Sequence, residues 1–235
     1  MTGVQTCALP IFERDPRNEL LARQGRWRLS AEQVRDSGLA ASGLWNPTLG
    51  GPSVKPPQPA GLWEAVSYNG ELSYEPDTGD GRWRRSVYSY WKRTAPPPGI
   101  QMLDGPTRET CTLRRPRTNT PLQALLLLND ETQVEAARAL DAAVLKNTTT
   151  TDDAARLHEL FARATQRAAE PAEFEILRGL LARLHSRYAS TPDDARRLVR
   201  VGASAAGRDL DPLLLAPWTG VAQAILNLDE VVTRR

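Results

Sequence analysis

The densest chemistry in this 235-residue chain lies between Arg82 and Arg117, where nine Lys/Arg residues stand against only Asp104 and Glu109, a local balance of +7. Trp83, Tyr88, Tyr90 and Trp91 interleave with these cations. Arginine beside aromatic rings suits phosphate, sulfate or carboxylate recognition, through bidentate hydrogen bonds and stacking. Arg114, Arg115 and Arg117, followed by Thr118, Asn119 and Gln123, are therefore the candidate anion- or ligand-binding residues. The helix that Pro121 opens would add backbone N–H donors to such a site. The same residues have a structural alternative. The arginines would pair with the C-terminal half, where residues 122–235 carry 16 acids against 14 bases. The polar side chains of T-N-T-P-L-Q would then satisfy backbone groups where a loop enters a helix. Asn129 has the same two roles open to it.

Cys111 is a possible reactive thiol if Arg108, Arg114 and Arg115 lie close enough to lower its pKa. With no histidine near it in the chain, the expectation is an inert, buried cysteine. His158 and His185 fall on helices with no H-E-x-x-H partner and are expected at the boundary of core and solvent. Asp152/Asp153 and Asp193/Asp194 stand at helix starts, where the helix dipole favours carboxylates. The residues yield no catalytic assignment and no metal-ligand set, and no P-loop, nucleophile elbow or dinucleotide fingerprint occurs.

The elements that must position these residues follow from local signals. Ser30 and Gln33 form a capping box for a first helix, which Asn46-Pro47 and Gly50-Gly51-Pro52 stop. Between Trp45 and Pro121 lie 12 of the 18 prolines and four of the six tryptophans. This segment is expected to wrap over a helical core, with its tryptophans as anchors. Within it, Trp83, Val87 and Trp91 recur at helical spacing and favour a helix over a strand, while Tyr88 and Tyr90 suit a strand as well. Thr120 caps the next helix, Pro121 takes its first position and Gln123 closes a capping box. Leu122, Leu125, Leu126, Leu127 and Leu128 make that helix apolar nearly all round, which predicts burial. Asp130, Asp153, Pro171, Pro192 and Pro212 mark five further helix starts. Pro217 would kink the last one or delay its start to Trp218. The expected fold is all-α, five to seven helices with a long Pro/Trp-rich irregular segment packed across them.

Composition narrows the class. Hydrophobic residues make up 40% and charged residues 25%, a globular balance. No apolar run reaches the length of a membrane-spanning helix. Two cysteines exclude a disulfide framework. A net charge of +2, with no recognisable motif, gives no push toward nucleic acid. Residues 2–11, TGVQTCALPI, look like a sequencing adapter translated in frame. Residues 1–11 are accordingly expected to be an artefact, with Cys7 not a biological cysteine. Residues 12–235 are then a fragment of one helical domain: 12–120 a helix plus the wrap, 121–235 part of a bundle. The true chain is expected to continue upstream.

The stretch from Arg82 to Asp130 carries a family resemblance. R-R-S-x-Y-x-x-W-K-R at Arg84–Arg93, the Pro96–Pro98 run, Cys111, Arg114, Arg115, T-N-T-P-L-Q-A-L from Thr118 and Asn129 resemble the planctomycete-specific domain of unknown function. That domain ends large multi-domain proteins carrying planctomycete cytochrome c-type domains. G-G-P-S-V-K-P at Gly50–Pro56, G-L-W-E at Gly61–Glu64 and L-N-L-D-E at Leu226–Glu230 extend the likeness over residues 30–235. The resemblance implies an exported or periplasmic protein, with haem in upstream domains and none in this chain, linked to polysaccharide breakdown. Two functions stay open. One is a non-catalytic structural or docking module whose partners are upstream domains of the same protein. The other is a domain that binds or processes anionic polysaccharide through the Arg-rich segment. Neither nucleic acid nor a membrane span is expected.

Overall fold

A computed structural model describes residues 13–22, 25, 27–147 and 152–234. The adapter-like stretch, including Cys7, lies outside the described residues. Among the described residues the fold is mostly helical. The elements are β1 (Trp27–Arg28), α1 (Ala31–Ser42), α2 (Leu62–Ala65), α3 (Pro98–Met102), α4 (Pro121–Asn129), α5 (Glu131–Asn147), α6 (Asp153–Thr165), α7 (Pro171–Ser190), α8 (Pro192–Val199), α9 (Pro212–Leu226) and β2 (Thr233–Arg234). Among the described residues seven of the nine α-helices are eight residues or longer, and α2 and α3 are single turns inside the proline-rich segment. The all-α class therefore holds.

Two helices form the centre. In α5 nearly every side chain is buried, and Ala136, Ala137, Ala139 and Ala142 leave room for close approach by its neighbours. It packs on α1, α4 and α6, and most extensively on α9, which in turn meets α7 and α8. Trp218, Val221, Ala222 and Ile225 of α9 are fully buried among Leu140, Val144, Leu157, Leu160 and Phe161. Pro217 lies inside α9, which already begins at Pro212, so the proline does not delay the helix to Trp218.

The caps follow the local grammar. Ser30 and Gln33 form their capping box, Gln133 N–H donates to Asp130, and Asp152 and Asp211 cap α6 and α9. At α4 the box is only half made. Thr120 Oγ1 accepts from Gln123 N–H at 3.3 Å, but the Gln123 side chain turns away to other partners.

β1 and β2 pair antiparallel, Trp27 with Arg234 and Arg28 with Thr233, and so tie the segment just before α1 to the C-terminal end of the described chain. The proline-rich segment runs across α1 and α5. Trp63 within it is buried, and the Trp83 indole donates to Glu135 on α5 at 2.9 Å. The helix expected through Trp83, Val87 and Trp91 does not form. Two separate 3-10 turns, Gly79–Trp83 and Ser86–Tyr88, replace it. The reason lies in the backbone: Val54 takes Tyr88 O and Tyr90 N–H in strand-like bonds of 2.8 and 2.7 Å, while Arg35 takes the carbonyls of Arg82 and Arg84. Those groups are spent outside the segment and cannot close helical turns.

Candidate functional site

The candidate residues other than Gln123 and Asn129 lie on a ribbon, residues 107–122, that is exposed throughout and runs without regular structure until α4 begins at Pro121. Its local anchor is Asp104, in the turn before it. Asp104 accepts from Thr118 N–H at 2.6 Å and from Thr118 Oγ1 at 2.8 Å. Gln123, buried on α4, donates its amide to Met102 O, Thr118 Oγ1 and Asp104 at 2.9, 3.0 and 3.2 Å. Desolvation is the largest single influence on Asp104 and raises its pKa. The Thr118 and Gln123 hydrogen bonds and the charge of Arg28 outweigh it, so the carboxyl sits below its usual range. Thr118 and Gln123 therefore close an internal polar knot. Asp104 was counted in the sequence only as a charge. The Asp104-Gly105 turn was the available signal, and Asp104 takes a positive φ of 63° there.

The arginines go to different places. Arg115 reaches both carboxylate oxygens of Glu32 on α1, at 2.9 and 2.8 Å. Glu32 titrates below its ordinary value: burial pushes up, but backbone and Arg115 hydrogen bonds dominate. Arg117 lies over the Trp27 ring, 5.0 Å from its centroid. Arg114 and Asn119 are exposed. Cys111 is exposed too, contrary to the expected burial, because no helix covers the ribbon. Upstream, Arg82 pairs with Glu131 on α5 at 2.6 Å, as the structural alternative requires. Arg84 instead gives its guanidinium to the carbonyls of Pro52, Thr48 and Gly50 and stacks on Tyr88, 4.2 Å from the ring centre.

Two surfaces result. One is a cleft of about 340 Å³ between β1 and the ribbon, lined by Trp27, Arg28, Leu29, Gln33, Arg117 and Arg234. Three arginines beside an exposed tryptophan make it basic. Burial lowers the pKa of Arg28, and Asp104 partly offsets this. The other is apolar. The expectation that α4 is buried fails: Leu122, Leu125 and Leu128 are 64%, 56% and 40% exposed, and Leu113 on the ribbon is 100% exposed. Only the Gln123–Leu127 side of α4 reaches the core. Gln223 and Asn227 of the α9 end hold its carbonyls at Leu128 and Ala124.

Sequence reasoning missed a buried polar row on α5. Glu135, Arg138 and Asp141 are all but fully buried. Glu135 receives the Trp83 indole and Ser204 N–H. Arg138 donates to the carbonyls of Val199 and Ser204, and Thr219 Oγ1 donates to Asp141 at 2.7 Å. These bonds run to backbone and to Trp83 and Thr219, and they join α5 to the wrap, to α9 and to the loop after α8. His158 stacks on Phe174, 4.6 Å between ring centres, at the edge of the core. Among the described residues no group of three or more His, Cys, Asp or Glu could hold a metal ion, and no helix is long and apolar enough to cross a membrane.

A family model described as PSD1, a protein of unknown function (DUF1553), matches residues 8–181. No curated protein and no solved structure matches the chain.

Proposed function

The chain belongs to the PSD1 family of proteins of unknown function (DUF1553), and from that premise we propose that it is a non-catalytic docking module of a larger exported protein. Its partner is an acidic, partly apolar surface on an upstream domain of the same polypeptide. The observation that carries this reading is the continuous exposure of residues 107–122, leading into the solvent-facing leucines of α4. Monomeric proteins rarely leave a patch of large apolar side chains in water unless something covers it. The ribbon adds Arg108, Arg114 and Arg117 against Glu109, with Arg115 already paired to Glu32, which suits an acidic partner. The resemblance to domains that end cytochrome c-type proteins supports the export, the upstream haem and the link to polysaccharide breakdown.

The test is a double substitution, Leu122→Ser with Leu125→Ser, made both in this chain and in the longer polypeptide. Exposed apolar positions tolerate such changes within about 0.5 kcal/mol. The melting temperature of the chain alone should hold, and that of the longer protein should fall. Equal behaviour in both would remove the docking face.

The basic cleft favours a second reading, an anionic glycan seated on Trp27, Arg28, Arg117 and Arg234. It requires saturable binding of a sulfated or uronate glycan that weakens from low to physiological salt and is lost in Arg117→Ala. Without such binding the second reading falls.

A further inference from the structure

Of the three arginines that line the basic cleft, two are placed to share one anion. The β1–β2 ladder decides which. Residues directly opposite in an antiparallel pair carry their side chains on the same face, with Cβ atoms about 4.5–5.5 Å apart. Trp27 stands opposite Arg234, and Arg28 stands opposite Thr233. Exposure follows this alternation: Trp27 and Arg234 are exposed, Thr233 is buried and Arg28 is half-buried. Arg117 reaches the exposed pair from the ribbon, its guanidinium 5.0 Å from the centre of the Trp27 ring. Arg117 and Arg234 therefore flank one indole.

Stacking occupies the flat face of a guanidinium and leaves its N–H edge free to donate. Among the described residues, no hydrogen bond or ion pair holds the guanidinium of Arg117 or of Arg234. Other arginines of the region are committed: Arg115 to Glu32, and Arg84 to backbone carbonyls. Arg28 belongs to the other face of the ladder, and the charge of Asp104 acts on it. Two uncommitted guanidinium groups beside one indole repel each other, and both can donate to a single carboxylate or sulfate group. The cleft of about 340 Å³ has room for such a group and the sugar that carries it.

We propose, resting on the glycan reading of this cleft, that Arg117 and Arg234 form a clamp for one carboxylate or sulfate group of an anionic sugar, with Trp27 holding Arg117 in place. Arg28 stands outside the clamp. A sugar held in this way ties the ribbon to β2.

The test compares two arginines of equal charge. Arg234→Gln and Arg28→Gln each remove one positive charge from the cleft, so a diffuse electrostatic attraction would weaken equally in both. Titrated at low salt with a chondroitin sulfate tetrasaccharide, which carries both anionic groups, Arg234→Gln should bind about tenfold more weakly than the parent chain. Arg28→Gln should lose less than about threefold. The same contrast with a hyaluronan tetrasaccharide assigns the clamp to carboxylate, and with a carrageenan tetrasaccharide to sulfate. Hydrogen exchange adds a readout that needs no variant. The Leu29 amide, which donates to Val232 O at 3.0 Å beside the ladder, should exchange more slowly when the sugar is bound. Equal losses in the two variants, or an unchanged Leu29 rate in the saturated parent chain, overturn the clamp and leave the glycan reading in place. Absence of saturable binding to the parent chain removes both.

Discussion

Asp141 sits inside the helical core with one oxygen on the Thr219 hydroxyl and the other without a partner. Burial, the largest influence, pushes its carboxyl well above the ordinary carboxylate value, and the Thr219 hydrogen bond only partly opposes this. The folded state therefore keeps a proton that the unfolded chain releases once pH passes about 4. Asp141 costs no stability in acid and an increasing amount as pH rises toward its folded-state value. Asp141→Asn should raise the melting temperature near pH 7 and leave it almost unchanged near pH 4. At this chain length each kcal/mol corresponds to about 2–4 °C. A gain of the same size at both pH values would contradict this account. Nearby, Gly202 has φ of 79°, and a Cβ there would stand 2.7 Å from the Glu135 carboxylate. Gly202→Ala should therefore destabilise the chain by more than about 1 kcal/mol, measured by urea unfolding. Neither Asp141 nor Gly202 was legible in the sequence. The polar row of α5 looks like a solvated face until α9 and the loop after α8 are seen to cover it.

At the scale of elements, the α6–α7 junction is held by a charge cluster. Arg167 donates to Glu173 at 2.7 and 2.6 Å and to Glu230, beyond α9, at 2.9 and 2.7 Å. The Arg167 hydrogen bonds lower the Glu173 pKa from 4.5 to about 2. A carboxyl depressed in the folded state stabilises above its unfolded value and loses that contribution as pH falls through its folded value. The contribution should vanish between about pH 4.5 and 2. Both side chains are about one-third exposed, so solvent and salt screen the effect. In Arg167→Ala the melting temperature should start lower at pH 6 and show a shallower acid limb. A limb as steep as the parent's would show that other carboxylates drive it. The helix starts were legible because capping is local: Ser30, Thr120, Asp130 and Asp211 need only their next three residues. The surroundings of α4 were not. Five leucines in seven positions give a helix without a polar face, and such a pattern does not say which side meets the core. The conformation of Trp83–Trp91 was not legible either, for a related reason. Its helical spacing was real, but long-range bonds from Val54 and Arg35 claimed its backbone.

Across the whole molecule, α5 and α9 form the buried centre, the proline-rich wrap is pinned to α5 by Arg82 and Trp83 and to α1 by Arg35, and the ribbon and α4 face outward. The family was legible in the sequence because its motifs are dense between Arg84 and Asn129. The division of labour among the arginines was not. Arg82, Arg84, Arg115 and Arg117 look equivalent as a charge run, yet they meet Glu131, backbone carbonyls, Glu32 and Trp27 respectively. Only the folded path of the chain separates buried struts from exposed contacts. In the proposed docking function, residues 107–122 are covered by an upstream domain. Cys111, exposed at the middle of that ribbon, reports on it directly. Maleimide labelling of the Cys111 peptide, followed by mass spectrometry, should be fast in this chain and at least tenfold slower in the longer polypeptide. Equal labelling rates in the two would contradict the docking account.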